Sequence, residues 1–299
     1  MKVATITAYG APEVLTIRKR PRPIPNANEA LVAVVASTIN PVDIKTRRPG
    51  TPQRVGLFPA ALGWDMAGVI VNAPKDSRFE PGDRVIAMNP PRPDGSGCWQ
   101  EYVTIPVDML APAPVTADLA QAATLPLAGL TADQALSRLN VSPDERLLVT
   151  GAAGNVGGMA VQLAAAAGLR VSGLVSRPEH ERAVRALGAE TCASDPVGIG
   201  PFEAVFDTAG VYDPRLLREG GRLITVSDDD IPQNISDRAS IADHNYVTHA
   251  PQRLDELTHL VDTDRLRLRV AAYHPLTDIV EAHHVVERGS LQGKVVILL

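Results

Sequence analysis

Apolar and polar positions change their period partway along this chain. Over the first third, short β-branched runs at residues 31–36, 66–71 and 84–88 are separated by turn-forming stretches at 21–28, 81–83 and 90–97. Short strands broken by proline and glycine predict a barrel-like β domain. From about residue 117 the pattern lengthens. Residues 117–123 and 129–139 are rich in alanine and leucine and predict helices. Beyond them, apolar runs at 147–150, 171–175, 204–207 and 222–226 alternate with helical segments, and a further strand is expected at 246–248. That alternation predicts a doubly wound parallel sheet with helices on both faces, an α/β architecture. The closing run, 294–299, has no local partner and is expected to return to the first domain. The expected division is therefore 1–116 completed by 268–299, with 117–267 forming the second domain.

The most informative stretch is Val149-Thr150-Gly151-Ala152-Ala153-Gly154-Asn155-Val156-Gly157-Gly158. An apolar strand precedes it. Val156, Met159, Ala160, Leu163, Ala164 and Ala167 follow at helical spacing. A strand, a glycine turn and a helix in that order suit a pyrophosphate. Gly154 lets backbone approach the phosphates, Gly157 lets helix and strand pack closely, and the helix N-terminus faces the negative charge. Asn155 and Val156 stand where turn amides would meet that group.

Composition narrows the partners. A chain of 299 residues accommodates two domains with separate cores. The net charge of −5 and the 4% aromatic content offer no reason to expect nucleic acid or an anionic membrane. No apolar run is long enough to span a bilayer, and the start does not resemble a signal peptide, so a cytoplasmic location is expected. The two cysteines, Cys98 and Cys192, are too few for a disulfide framework or a four-cysteine zinc lobe. The expected ligand is a small molecule.

The tip of the second strand bears on cofactor choice. A ribose-binding acid is expected there for NAD. The chain instead has Leu174-Val175-Ser176-Arg177, with His180 and Arg182 close behind. A hydroxyl and a guanidinium suit the 2′-phosphate of NADPH. Ser176 and Arg177 also stand where a helix begins at Pro178, and both roles are compatible.

Further along, a set of blocks resembles one family. They are Ile39-Asn40-Pro41-Val42-Asp43, Gly63-Trp64-Asp65-Met66-Ala67-Gly68-Val69, Pro81-Gly82-Asp83-Arg84-Val85, Glu101-Tyr102-Val103, Leu125-Pro126-Leu127-Ala128-Gly129-Leu130-Thr131-Ala132, the glycine turn, Phe206-Asp207-Thr208-Ala209-Gly210 and Gly293-Lys294-Val295-Val296. In this order they resemble the medium-chain dehydrogenase/reductase superfamily, in its zinc-free, zeta-crystallin-like quinone oxidoreductase branch. The resemblance implies a GroES-like barrel carrying an inserted Rossmann domain. It implies hydride transfer from NADPH to a quinone or an α,β-unsaturated carbonyl without a metal. Carried over by position, Asn40 lies beside the nicotinamide as a donor to the developing enolate oxygen, and Asp43 lies on the same cleft wall. Thr131 falls near the nicotinamide half, and Val226 and Ser227 beside its ribose. The superfamily's pairing of sheets edge to edge implies a homodimer through the strand expected at 246–248.

Zinc-dependent relatives place a cysteine and a His-Glu pair where this chain has Asn40, Asp43 and Gly63-Trp64-Asp65, so no thiolate or imidazole is available there. Other departures follow. Many relatives carry a tyrosine soon after the Asn-Pro stretch, but Gly50-Thr51-Pro52-Gln53-Arg54 has none. A solvent proton or another donor would replace it. Asp228-Asp229-Asp230 follow the fifth strand and read either as a solvated loop or as a wall against anionic substrates. Residues 232–245 fit no family pattern. Trp64 and Trp99 suit packing more readily than pocket walls. Two other functions stay open: a dedicated enoyl or imine reductase of a specialised biosynthetic pathway, and an NADPH-binding protein with little turnover.

Overall fold

The computed structural model describes residues 1–50 and 55–299. Residues 51–54, most of the stretch that lacks the tyrosine, lie outside it. The chain divides into two units. One comprises residues 1–127, 249–262 and 268–299, and the other residues 128–248 and 263–267.

The first unit begins with β1 (Lys2–Ile6), β2 (Leu15–Lys19), β3 (Glu29–Thr38), α1 (Pro41–Arg47), β4 (Ala60–Ala61), β5 (Asp65–Asn72), β6 (Arg84–Met88), β7 (Tyr102–Pro106), β8 (Ala111–Pro112) and α2 (Leu119–Ala122). Helix α3 (Pro126–Leu139) crosses into the second unit. There follow β9 (Arg146–Thr150), α4 (Asn155–Ala166), β10 (Arg170–Leu174), α5 (Glu181–Arg185), β11 (Thr191–Ala193), β12 (Phe202–Asp207), β13 (Leu217–Thr225), α6 (Gln233–Ser236) and β14 (Ile241–His244). The chain then completes the first unit with α7 (Pro251–Asp262), β15 (Val270–Pro275), α8 (Ile279–Arg288) and β16 (Lys294–Leu298).

In the first unit, β2, β1 and β4 form one small sheet, while β15, β16, β3, β5, β6 and β8 form a second sheet in that order, with β7 also on β3. The closing strand therefore does return to the first unit, antiparallel to β3. The separation of units differs from the expected 116/117 boundary. Helix α7 belongs with the first unit because it docks on β8 there, where Thr258 Oγ1 donates to the Pro112 carbonyl at 3.2 Å. Asp262 and Thr116 bond in the same place at 2.8 Å.

The second unit is a six-stranded sheet in the order β11-β10-β9-β12-β13-β14, parallel throughout. Counted from β9, that is the 3-2-1-4-5-6 order of a doubly wound dinucleotide fold, with the reversal between β9 and β12. Its central strands are apolar runs buried on both faces. Leu148, Val205 and Leu223 contribute to one core cluster with Phe202, Leu216 and Ile235. The strand expected at 246–248 lies earlier, at Ile241–His244. Its alternating exposed and half-buried residues fit a sheet edge. Residues 232–245, which had no expected role, thus supply α6 and this edge strand.

Candidate functional site

In the second unit, the expected cofactor residues other than Thr131, which lies in α3, follow the carboxyl ends of β9, β10 and β13. Gly151, directly after β9, turns with φ +59°. A Cβ on Gly157 would stand 2.4 Å from the Gly151 carbonyl oxygen and 2.9 Å from the Ala152 Cα. Helix α4 can lie this close to its strand only because residue 157 has no side chain. Gly154 is the N-cap residue, with φ −66° and ψ 176°, and Asn155 and Val156 open the first turn. This is a cradle with glycine where a side chain would obstruct, facing the positive end of a helix.

Ser176 and Arg177 follow β10 and are exposed. Arg177 occupies the N-cap position of a 3-10 turn over Pro178–His180, and its side chain makes no capping hydrogen bond. The guanidinium is therefore not used by the helix start that was its other expected role. His180 differs from these two: it is only 6% exposed. Thr131 is also buried, within α3, and its carbonyl accepts from Asn245 Nδ2 at 3.3 Å. Val226 and Ser227 follow β13 directly. The Val226 amide donates to the Asp207 carbonyl at 3.0 Å, and the Ser227 amide to Thr225 Oγ1 at 3.0 Å. In the acidic loop, the Asp229 carboxylate accepts from Ser227 Oγ at 2.8 Å, while Asp228, Asp229 and Asp230 are all exposed.

In the first unit, Asn40 and Asp43 lie together, but not on an open wall. Both are fully buried. Asn40 is the N-cap residue of α1. Its amide donates to Asp43 Oδ2 at 2.8 Å, while Asp43 Oδ1 accepts from the Gly63 amide at 3.0 Å. The Asn40 carboxamide nitrogen donates to Asp65 Oδ2 at 2.8 Å and lies 3.4 Å from Thr38 Oγ1. Its oxygen accepts from Lys294 Nζ. Asp65 accepts in addition from Thr38 Oγ1 at 2.6 Å and from the Leu127 amide at 2.7 Å. The expectation that Asn40 donates to a substrate oxygen thus meets a carboxamide whose polar atoms all turn inward. Burial pushes the Asp43 carboxyl up to about 7; the Asn40 amide and Lys294 oppose this, and Asp65 adds to it. Burial likewise pulls the Lys294 ammonium below its ordinary value, against Asp65 and Asp43.

Lys294 and Asp65 were not singled out in the sequence, although both lie within the family blocks. The signal was present: a lysine opening the apolar strand Lys294–Leu298, and an aspartate opening Asp65–Asn72. A charged residue leading into a buried strand needs a partner inside.

Trp99 is fully buried and donates from Nε1 to the Thr38 carbonyl at 3.1 Å. It is a packing residue. Trp64 is half-buried.

The parallel sheet, its strand order and the glycine turn define a dinucleotide-binding type of oxidoreductase domain. Two family models match the chain: the alcohol dehydrogenase GroES-like domain over residues 26–115 and the zinc-binding dehydrogenase over residues 182–297. A chloroplastic NADPH-dependent alkenal/one oxidoreductase of Arabidopsis thaliana is 29% identical, over 99% of this chain and 79% of its own. A 2-methylene-furan-3-one reductase of Solanum lycopersicum is 27% identical over the same shares. The quinone oxidoreductase of Coxiella burnetii matches with a TM-score of 0.88 at 28% identity, covering 100% of this chain and 99% of that one. The chain belongs to the medium-chain dehydrogenase/reductase superfamily.

One of these models is named for zinc, so the fit of that ion matters. The two regions that the resemblance matches to the zinc ligands hold Asn40 and Asp43, and Gly63-Trp64-Asp65, and the Lys294 ammonium lies 3.8 Å from Asp65 Oδ2. A protein-borne cation inside the donor set repels a second one. Among the described residues, no group of three or more His, Cys, Asp or Glu is arranged to hold a metal. Zinc does not fit this donor set. Also among the described residues, no helix is long and apolar enough to cross a membrane.

Proposed function

We propose that the chain is a zinc-independent, NADPH-dependent reductase of α,β-unsaturated carbonyls or quinones. The observation that carries this reading is the tip of β10, where Ser176 and Arg177 stand exposed in place of a ribose-binding acid and the Arg177 side chain makes no capping hydrogen bond. The alkenal/one and quinone oxidoreductases among its relatives support the substrate class.

The residues divide the work as follows. Ser176 and Arg177 hold the 2′-phosphate by charge-assisted hydrogen bonds. Gly154 leaves room for the pyrophosphate to approach, and Asn155 and Val156 turn the first-turn amides of α4 toward it. Val226 and Ser227 border the nicotinamide ribose, and Thr131 backs the same half from α3. His180, buried, packs behind the phosphate pocket and stays out of it. When bound, the reduced nicotinamide supplies a hydride, and a solvent proton completes the reduction. Asn40 and Asp43 act as positioning residues. They fix the start of α1 from within, through Asp65 and Lys294, and leave the enolate oxygen to other donors.

The test is turnover by the purified chain with NADPH or NADH and a panel of alkenals, enones, quinones and simple alcohols. The expected result is NADPH-dependent reduction of the activated alkenes or quinones, unchanged by a chelator. Chelator-sensitive alcohol oxidation with NAD would overturn the reading.

A further inference from the structure

Asp207 ends β12 at the centre of the parallel sheet and is fully buried. Five donors converge on its carboxylate. Oδ1 accepts from Thr150 Oγ1 at 2.5 Å, from the Val211 amide at 2.9 Å and, more weakly, from the Ala209 amide at 3.4 Å. Oδ2 accepts from Thr225 Oγ1 at 2.7 Å and from the Gly210 amide at 3.0 Å. All five donors are neutral. A buried carboxylate is tolerated when its lone pairs are all engaged in this way.

Placement makes this more than a satisfied core acid. Thr150 is the last residue of β9 and leads directly into the glycine turn. Thr225 is the last residue of β13 and leads into Val226 and Ser227. Thr208 closes the first side, donating from its amide to Thr150 Oγ1 at 3.1 Å and from Oγ1 to the Thr150 carbonyl at 2.7 Å. It also packs on the turn itself: a Cβ on Gly151 would stand 2.5 Å from Thr208 Oγ1. On the other side, Thr225 Oγ1 accepts from the Ser227 amide at 3.0 Å. A continuous hydrogen-bonded path therefore runs from Ser227 through Thr225, Asp207 and Thr150 to the glycine turn. The tip of β10, with Ser176 and Arg177, lies on the opposite side of β9. It meets the turn through the Ala152 amide, which donates to the Leu174 carbonyl at 3.1 Å, and gives no hydrogen bond to Asp207.

We propose that Asp207 is a positioning residue for one half of the bound dinucleotide: through Thr150 and Thr225 it sets the glycine turn and the Val226–Ser227 segment at one fixed spacing. The proposal rests on the cofactor reading above. It adds that the two ends of the cofactor rest chiefly on different contacts, the pyrophosphate-to-nicotinamide half on those of Asp207 and the 2′-phosphate end on the tip of β10. Sites held by such second-tier contacts lose function steeply when those contacts loosen.

The experiment compares NADPH with 2′-AMP, which carries the 2′-phosphate and lacks both the pyrophosphate and the nicotinamide half. Asp207→Asn keeps the shape but replaces one acceptor oxygen with a donor, which faces donors already present. The expected result is at least tenfold weaker NADPH binding by calorimetry, with 2′-AMP binding changed less than twofold. Thr225→Val, which removes a single hydroxyl, should show the same split on a smaller scale, and it stands as the test if Asp207→Asn does not fold. Equal weakening of both ligands, or of neither, would overturn the proposal. Failure of the unmutated protein to bind either ligand would instead remove the cofactor reading, and the proposal with it.

Discussion

Lys294, opening β16, donates its ammonium to the side-chain oxygen of Asn40, 254 positions earlier in the chain. The same ammonium lies 3.8 Å from Asp65 Oδ2, and the lysine is only 5% exposed. The last strand of the chain is therefore joined to the start of α1 by a buried polar contact as well as by its pairing with β3. Removing one member of such a set leaves the others desolvated and uncompensated. The cost is about 3–5 kcal/mol in comparable buried pairs. Lys294→Met should lower the free energy of unfolding, extrapolated from urea titration, by an amount of that order. A loss below about 1 kcal/mol for this variant would show that the ammonium is not held as described.

This network also marks where sequence reading stops. The central strands of the second unit were legible because each is an apolar run buried on both faces, and β6 was found at its observed bounds, Arg84–Met88. The edge strand Ile241–His244 was not, since one of its faces is exposed and its composition is half polar. The start of β13, Leu-Arg-Glu-Gly-Gly, was hidden for the same reason. The glycine turn was legible because it is a backbone requirement written locally. The roles of Asp65, Asp207 and Lys294 were not, because each looks like an ordinary charged residue until the fold supplies partners from distant positions. Asn40 and Asp43 were found as a pair, but their direction was not. An Asn-Pro-x-Asp stretch shows that a helix starts, and only the packed structure shows that both side chains point inward.

The cofactor preference can be tested at a single side chain. Arg177 is exposed and its side chain makes no capping hydrogen bond, so its replacement should disturb little else. Each charge-assisted hydrogen bond lost to the 2′-phosphate should cost roughly 1.5–3 kcal/mol. Arg177→Ala should therefore weaken NADPH binding by about one to two orders of magnitude and leave NADH binding nearly unchanged. Fluorescence titration of both cofactors measures this. Parallel losses for the two, or equal affinities in the unmutated protein, would rule out the assignment of Arg177.

The last prediction concerns His283, on α8. It is fully buried, edge-on to Trp99 at 5.0 Å between ring centroids, and neither ring nitrogen has a hydrogen-bond partner among the described residues. Burial pulls its pKa down to about 3, with Arg47 and His284 adding to the effect. The folded pKa is thus below the unfolded one, near 6.5. The unfolded chain takes up this proton first as pH falls. The contribution to stability is complete above about 6.5 and is lost as pH falls from there toward 3, at about 1.4 kcal/mol per pH unit. Asp43 works the other way. Its raised pKa favours the fold when protonated, and that contribution is lost as pH rises toward 7. The two are separated by a difference measurement against His283→Leu, which is close in volume and does not titrate. Removing a buried, unpartnered polar group is near neutral or stabilising in itself. The variant's urea midpoint should therefore match or exceed that of the unmutated protein at pH 8, and the gap should widen at pH 6 and again at pH 5. A gap that stays constant from pH 8 to pH 5 would show that His283 takes up its proton equally well in the folded chain.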